Sequence, residues 1–353
     1  MRKKNIIFAI LIGVFALGLI GCGKKDSSTE TTVSSTEQAT NTANDKKDLK
    51  PVRLGIPGTE DTSVLLELAS VAYDKGYFEE ELNEKGYTLN PKYFAGVGPE
   101  INEAMASEEL DVAIYGDFPI LVTKSNGIDT TVVASVNSEL QYGILSVSDD
   151  IKEPKDLEGK RVVVPVGTVT QYFWEQYVKS NGLDINKIEV INSLDAASLL
   201  SAGEADASVN TSYGIGSLHA KGLGTIFDTG ANIEEGYSTQ LVTVKTDYLK
   251  ENPDVAVALN KALLRAYEDV TKNPQVLYDA EDSPNISADV WKEVYSYDTS
   301  FEYLSPEITD STVTYFEHLN DWLYENSITT NKIDVNSLYD TSYYEQAVEE
   351  LKK

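Results

Sequence analysis

A turn with the sequence Gly-Thr-Val-Thr stands where a predicted strand meets a predicted helix. The β-branched run at residues 161–166 favours the strand, and the aromatic residues after the turn recur at helical spacing. Main-chain N–H groups at a helix N-terminus, joined by hydroxyls, can bind an oxyanion without a cationic side chain. We therefore expect Gly167, Thr168 and Thr170 to contact a ligand. The alternative is structural, with Thr170 serving only to cap the helix.

A second glycine-containing turn, Ala95-Gly96-Val97-Gly98, precedes Pro99, a residue that suits the first turn of a helix. Glycine lets the main chain approach a ligand closely. We expect Gly96, Val97 and Gly98 to line the same site as the first turn. A Gly-x-Gly sequence is also common in simple turns, so a purely structural role stays open.

The sequence Gly-Asp-Phe-Pro opens another predicted helix and offers two candidates of a different kind. Asp117 either contacts the ligand or caps its helix. Phe118 either stacks on the ligand or fills the floor of the site.

Further candidates follow the ends of the other predicted strands. The polar ones are Thr59, Glu60, Asp61, Glu139, Gln171, Asn210 and Thr211, and the aromatic ones, as possible walls, are Tyr142, Tyr172, Tyr213 and Tyr237. These loops carry acidic residues but no Lys or Arg. That balance disfavours a small inorganic anion such as nitrate and favours a zwitterion or an amine-bearing heterocycle.

Strands and helices alternate along most of the chain, and the two halves of the alternating part are loosely alike. Strands are predicted at 52–56, 89–94, 110–115, 130–136, 161–166, 188–191, 205–209, 225–227 and 239–244. Helices are predicted from 62 or 63, around 99–109, 117–126, from 170, and at 195–202, 253–272, 288–297, 309–325 and 341–351. Such alternation predicts an α/β fold with mainly parallel sheets, whose ligands bind at the carboxyl ends of the strands.

The N-terminus predicts export. Three basic residues precede an apolar run at residues 6–20, which ends at Gly21-Cys22. This pattern favours a signal peptide over residues 1–21 and resembles a bacterial lipobox, in which Cys22 would be lipidated. Residues 22–49 are polar and predict a flexible tether. An ordinary secreted protein with an unmodified cysteine is the alternative.

Composition excludes several kinds of site and partner. The formal net charge is −28, which argues against nucleic acid or an anionic membrane surface as the partner. Cys22 is the single cysteine, so the folded part has no disulfide, thiolate metal site or cysteine nucleophile. The two histidines are far apart in sequence, and we expect no metal or cofactor.

Several stretches resemble one known family: "KGYFEEEL", "EAMASEELDVAIYGDFP", "IKEPKDLEGKRVVVPVGTVTQYF" and "DAASLLSAGEADASV". They are similar to the extracellular substrate-binding proteins of ABC importers for aliphatic sulfonates, taurine, nitrate and thiamine-precursor pyrimidines. The resemblance covers about residues 52–351. Residues 210–213 lack the Trp and Pro that relatives often have there, which leaves the ligand's identity open.

The resemblance implies a two-lobed periplasmic-binding-protein fold of type II, each lobe a mainly parallel sheet flanked by helices. Lobe 1 would comprise residues 50–146 and 237–353, and lobe 2 residues 147–236. The hinge would lie near residues 141–148 and 236–241, and the lobes would close on the ligand.

The implied function is that of a monomeric receptor, lipid-anchored through Cys22 on the outer face of a bacterial membrane. It would bind a small sulfonate or taurine-like molecule and deliver it to the permease and ATPase subunits of an importer. The same role for a pyrimidine or another nitrogen heterocycle is the first alternative. An enzyme on the same fold is the alternative from another class; however, the acidic pairs at 79–81 and 108–109 suit solvated helix ends better than catalysis.

Overall fold

The structure, a computed structural model, describes residues 49–60 and 65–353. These residues fall within one compact unit, Lys46–Lys353. The predicted signal peptide, Cys22, most of the predicted tether and Asp61 lie outside the described residues.

Strands and helices alternate as far as residue 245, and helices follow. The strands are β1 (Lys50–Pro57), β2 (Tyr87–Phe94), β3 (Val112–Gly116), β4 (Thr130–Ser146), β5 (Arg161–Val163), β6 (Glu189–Ile191), β7 (Ala207–Thr211), β8 (Thr225–Asp228) and β9 (Tyr237–Lys245). The first seven α-helices are α1 (Glu67–Asp74), α2 (Tyr77–Glu84), α3 (Val97–Ala106), α4 (Asp117–Ser125), α5 (Val169–Ser180), α6 (Ala196–Ser201) and α7 (Ser212–Ala220). The later ones are α8 (Thr246–Glu251), α9 (Pro253–Lys272), α10 (Gln275–Glu281), α11 (Ala288–Val294), α12 (Asp310–Glu325) and α13 (Ser342–Leu351). The predicted α/β class is confirmed.

The strand order is β2-β1-β3-β9-β4-β7-β5-β6, with β8 also paired to β4. Two groups of strands are parallel: β1 pairs with β2 and β3, and β5 pairs with β6 and β7. Between them, β4 and β9 run antiparallel to each other and to their outer neighbours. The carboxyl ends of both parallel groups therefore supply loops that lead into helices.

The long strand β4 belongs to both parts of the sheet. Its residues 130–141 pair with β9, and Tyr142 to Ser146 pair with β7. The change of partner falls within the predicted hinge at 141–148. The lobe boundaries themselves stay a prediction.

Helix α9 shows how the core forms. Its first residue is Pro253, whose missing N–H costs nothing at that position, as the sequence predicts. Val255, Leu259 and Leu263 recur at a spacing of four and are all fully buried in the cluster that also holds the apolar residues of β1. Burying such a stripe removes apolar surface from water, which is the main stabilising term for the helix.

The two parallel groups carry the same ion-pair arrangement. The main-chain N–H and Nε of Arg53, on β1, both donate to Asp111 Oδ2 at 2.9 Å. In the second group, the main-chain N–H and Nε of Arg161, on β5, donate to Asp206 Oδ2 at 2.9 and 3.1 Å. Each pair ties an arginine on one strand to the residue just before its parallel neighbour, in line with the predicted likeness of the two halves.

Strand β4 is longer than the sequence predicted. The prediction ended at residue 136 because polar residues interrupt the apolar run there. In the structure Asn137 is fully buried and its Oδ1 accepts the main-chain N–H of Glu139 at 2.7 Å. A polar side chain that finds a partner inside the sheet does not end the strand.

Helices α2, α7, α8 and α10 were not predicted. The sequence of α7, SYGIGSLHA, contains two glycines and two serines, which lower local helix propensity. Its cap, Thr211, and the packing of Ile215 and Leu218 against the sheet stabilise it instead. Within the described residues, α1 begins at Glu67, and the predicted start at 62 or 63 lies outside them.

No helix among the described residues combines the length and the apolar content that crossing a bilayer needs.

Candidate functional site

A cavity of about 440 Å³ lies where the N-terminal ends of α3, α4, α5 and α7 meet. Each helix contributes a residue from its cap or its first turn: Val97, Asp117, Val169 and Thr211. First-turn N–H groups have no acceptor within their own helix, and the helix dipole is positive at this end. Their convergence creates an environment that suits a bound anion.

The turn before α3 lies at the cavity as predicted. Gly96 is the cap of α3, Val97 is its first residue, and Val97 and Gly98 line the wall. A Cβ on Gly98 would come within 2.8 Å of Pro119 Cβ, so glycine is required for α3 to approach α4 this closely. Val97 has a φ of 47°, which is rare for a β-branched residue and marks local strain beside the cavity.

The turn before α5 reaches the cavity through Gly167, Thr168 and Val169. Thr168, and not Thr170, caps α5, because Thr168 Oγ1 accepts the N–H of Thr170 at 3.2 Å. The capping role considered for Thr170 is therefore wrong, and Thr170 is buried. The side chain of Gln171 folds back, and its Oε1 accepts the N–H of Gly167 at 2.8 Å.

The hydroxyl proton of Thr168 is already engaged. Thr168 Oγ1 donates to the carbonyl oxygen of Pro165 at 2.7 Å while it accepts from Thr170. An oxyanion needs donors, so in this conformation α5 can offer it first-turn N–H groups, such as that of the lining residue Val169, and not the Thr168 hydroxyl. That ligand contacts come through Thr168 and Thr170 stays a prediction.

The fourth N-terminal end at the cavity belongs to α7. The sequence predicted no helix there, although Asn210 and Thr211 were predicted as site residues. Thr211 lines the cavity and caps α7, its Oγ1 accepting the N–H of Gly214 at 3.1 Å. Asn210 Oδ1 accepts the N–H of Thr211 at 2.9 Å, so Asn210 shapes the turn.

Among the described residues that line the cavity, Asp117 is the one with a titratable acidic or basic side-chain charge. It is 1% exposed, and its Oδ2 accepts from the N–H of Thr239 at 2.6 Å and from the Thr239 hydroxyl at 3.2 Å. Its Oδ1 accepts the N–H of Phe118 at 2.6 Å. Burial raises the pKa of Asp117 to about 6, although these hydrogen bonds oppose the shift.

Much of the remaining wall is apolar or aromatic. It comprises Pro57, Val97, Pro99, Tyr115, Phe118, Pro119, Val122, Leu140 and Tyr142. Such a wall is suited to a short hydrocarbon group, because contact removes apolar surface from water.

Two predicted tyrosines, Tyr172 and Tyr237, lie in an apolar cluster with α12 and are not among the described lining residues. The Tyr172 ring lies 5.4 Å from Trp322, and the Tyr237 ring lies 4.9 Å from Tyr315. The Tyr172 hydroxyl donates to Glu235 Oε2 at 2.6 Å. The ring contacts of Tyr172 hold its own helix, α5, against α12. Direct contact of either tyrosine with the ligand stays a prediction.

The other predicted residues are more dispersed. Thr59 and Glu60 are exposed beyond the end of β1, and Glu139 is exposed on β4. Tyr213 lines a different, smaller cavity, where its ring lies 6.1 Å from Trp291. None of these four is among the described residues that line the larger cavity.

Sequence reasoning missed several lining residues, among them Asn102, Tyr115, Val169 and Ser238. Val169 lies within the Gly-Thr-Val-Thr turn. Its apolar side chain gives no sequence signal of ligand contact, although its N–H is the relevant group. Ser238 donates to the Tyr142 hydroxyl at 3.5 Å across two strands that are distant in sequence. No local pattern signals that pairing.

A family model described as NMT1/THI5 like matches residues 68–276, more than half of the chain. The chain belongs to the NMT1/THI5-like family. The match includes the N-terminal ends of all four helices around the cavity.

Two curated relatives and one solved structure extend this comparison. A Bacillus subtilis (strain 168) protein named as binding aliphatic sulfonates is 26% identical over 99% of this chain and 98% of its own length. The taurine-binding periplasmic protein of Escherichia coli (strain K12) is 26% identical over 55% of this chain and 61% of its own. The crystal structure of a periplasmic sulfonate-binding protein from Methylobacillus flagellatus KT superposes with a TM-score of 0.75 at 23% identity, covering 87% of this chain and 96% of the other.

The structural similarity confirms the periplasmic-binding-protein fold that the sequence implied. The relatives named above are binding proteins. For this NMT1/THI5-like chain, the site offers main-chain donors and an apolar wall, which suit recognition of a small amphiphilic anion, beside the buried carboxyl group of Asp117. Within the described residues, no three His, Cys, Asp or Glu side chains are grouped to hold a metal ion.

Proposed function

We propose that this protein is the solute-binding receptor of an ABC importer and that it binds small aliphatic sulfonates. The observation that carries the proposal is the meeting of helix N-terminal ends at one apolar-walled cavity of about 440 Å³. The names of the relatives support the same ligand class.

The sulfonate group would lie at the N-terminal ends of α3, α5 and α7. A sulfonate carries one negative charge over three oxygens, so it can accept several N–H groups at once without a cationic side chain. Helix α4 contributes less, because the carboxyl group of Asp117 already accepts the N–H of Phe118 in its first turn. The alkyl group would lie along Phe118, Pro119 and Val122.

We also propose that binding is followed by delivery and not by reaction. In this proposal the protein is monomeric, is held outside the membrane by a lipid on Cys22, and passes its ligand to permease and ATPase subunits. The N-terminal sequence and the family support that arrangement.

Closure between two lobes would complete the site. The cavity draws on Val97 and Asp117 from the predicted lobe 1 and on Val169 and Thr211 from the predicted lobe 2. The two predicted lobes also contact each other directly. Trp322 Nε1, in predicted lobe 1, donates a hydrogen bond to Glu175 Oε2, in predicted lobe 2, at 2.8 Å. Strand β4, shared by both parts of the sheet, is a natural place for the hinge.

A proline at position 169 tests the anion site by removing one main-chain N–H while keeping an apolar side chain at that position. Val169 is the first residue of α5, and Thr168 before it is extended (φ −129°, ψ 169°), so Val169→Pro deletes one N–H and preserves the helix. A hydrogen bond to a charged group contributes about 1.5–3 kcal/mol, so the affinity for ethanesulfonate should fall by about tenfold or more. Isothermal titration calorimetry on the mature chain measures the change.

The matched control is Asp310→Pro, at the first position of α12, whose cap Thr309 is also extended. This control should leave ethanesulfonate affinity unchanged. Equal affinity of Val169→Pro and the wild type would contradict the placement of the anion on α5. If the wild-type protein shows no saturable binding of any sulfonate, or if it converts a sulfonate chemically, the receptor function itself is wrong.

A further inference from the structure

A second cavity, of about 220 Å³, lies among α1, α7, α10 and α11. Its walls combine three acidic and three aromatic side chains: Asp74, Glu281, Asp282, Tyr73, Tyr213 and Trp291. None of the described residues that line it is Lys, Arg or His. Acidic and aromatic groups without a cation make the reverse of the anion site, since both carboxylates and the faces of aromatic rings attract positive charge.

Glu281 is the key side chain of this wall and is 7% exposed. Its Oε1 accepts the main-chain N–H of Glu67 at 2.5 Å and the hydroxyl of Tyr295 at 3.1 Å. Its Oε2 is buried and has no hydrogen-bond partner within the described residues. A buried carboxyl oxygen without a donor is costly, so this oxygen needs either a retained proton or a positive partner.

A second carboxyl group, that of Glu67, competes with Glu281 for the same hydrogen-bond donor. Glu67 is fully buried, its Oε1 faces the same Tyr295 hydroxyl at 3.2 Å, and its Oε2 also has no partner among the described residues. The single Tyr295 hydroxyl proton cannot serve both carboxyl groups. Burial raises the pKa of Glu67 to about 7, while the amide of Asn137 opposes the shift. Burial and then the charge of Glu67 raise the pKa of Glu281 well above 4.5.

We propose that this second cavity binds an organic ammonium group, at a site separate from the anion cavity. The ammonium N–H groups donate to Glu281, and the carbon atoms lie against Trp291 and Tyr213. Binding a cation replaces the proton that the Glu67 and Glu281 pair otherwise retains, so one carboxyl group ionises as the ammonium group enters.

The site adds to the proposed function and does not depend on it. The first turn of α7 links the two sites, since its cap Thr211 lines the anion cavity and Tyr213 lines this one. Because the two cavities share no lining residue within the described part of the chain, loss of one activity can be measured while the other is retained.

Titration of the mature chain with ethylammonium chloride, against sodium chloride at equal ionic strength, tests the site. Saturable binding at one site is expected for the wild type, with at least tenfold weaker binding for Glu281→Gln. Asp289→Asn, which removes an exposed acid from α11, should bind ethylammonium as the wild type does. Ethanesulfonate affinity should be unchanged in Glu281→Gln, which shows that the variant is folded and that the two sites are separate.

Proton release gives a second readout. Near pH 7 the binding enthalpy should depend on the ionisation enthalpy of the buffer in the wild type and much less in Glu281→Gln. Asp74→Asn, at another acidic lining residue, should weaken ethylammonium binding by a smaller factor. No saturable binding of ethylammonium, equal binding by Glu281→Gln, or binding of Mg²⁺ in its place would overturn the proposal.

Discussion

Asp117 keeps a titratable group beside the helix N-terminal ends that suit an anion. Its carboxylate accepts three hydrogen bonds from Thr239 and Phe118, so it fixes β9 against α4. Its charge nevertheless opposes an anion in the same cavity. With a pKa of about 6, Asp117 is ionised at pH 7.5 and neutral at pH 5.

Ethanesulfonate should therefore bind more tightly as the pH falls from 7.5 to 5. The ligand stays ionised throughout, whereas protonation of Asp117 removes a like charge from its surroundings. The gain should be on the order of threefold to tenfold, measured by calorimetry at each pH. The Asp117→Asn variant carries no titratable group there, so its affinity should lose most of this pH dependence. An unchanged pH profile in that variant would assign the effect to another group.

At the scale of elements, the two parallel strand groups use one ion-pair arrangement but differ at one main-chain position. Arg53 Nη1 donates to the carbonyl oxygen of Glu108 at 2.6 Å, and Arg161 Nη1 donates to that of Gly203 at 2.9 Å. Glu108 has a φ of 62° and Gly203 a φ of 69°. Only the second group places a glycine in this left-handed conformation, so the first group carries strain at Glu108.

Glu108→Gly should raise the free energy of unfolding by roughly 0.5–1 kcal/mol, because relief of left-handed strain exceeds the entropy cost of glycine. The lost contact with Lys245, at 3.7 Å, involves a Glu108 side chain that is 82% exposed and contributes little. Urea unfolding at pH 7.5 measures the change. The neighbouring variant Glu109→Gly is the control and should lower the free energy of unfolding, since it relieves no such strain. Equal effects of the two variants would contradict this account.

At the scale of the whole molecule, the buried pair of Glu67 and Glu281 joins α1, near the start of the described chain, to α10. Tyr295 bridges both carboxyl groups. Because the pKa of Glu67 is about 7 in the folded chain and near 4.5 when unfolded, the folded state holds the proton more tightly. The associated stabilisation is present below about pH 4.5 and is lost as the pH rises through 7.

The free energy of unfolding attributable to Glu67 should fall by roughly 3 kcal/mol between pH 4.5 and 7.5, with Asp117 adding a fall between about 4 and 6. Glu67→Gln should reduce the slope and make the protein more stable than the wild type at pH 7.5. Urea unfolding across the pH range measures both. A steeper slope in Glu67→Gln would show that the ionised pair stabilises the fold.

The sequence by itself determined the fold class and most local signals. The cap-and-proline start of α9, the end of α5 near Asn181 and the loops after β1, β2 and β5 all follow from periodicity and turn chemistry. It also predicted Val97, Asp117, Thr168 and Thr211 as site residues, because each lies at or after the carboxyl end of a strand in a parallel group, where ligands of such sheets bind.

The tertiary structure decided which groups in those loops remain available. In the structure the Thr168 hydroxyl donates to the carbonyl oxygen of Pro165, and Val169 lies at the larger cavity. Tyr213 lies at the smaller cavity instead. The tertiary structure also brings Glu67 and Glu281 together across more than two hundred residues, in a helix pair of which α10 was not predicted. Local periodicity reports which face of an element is buried, whereas hydrogen-bond pairing and carboxyl burial depend on contacts between distant segments, which no local pattern encodes.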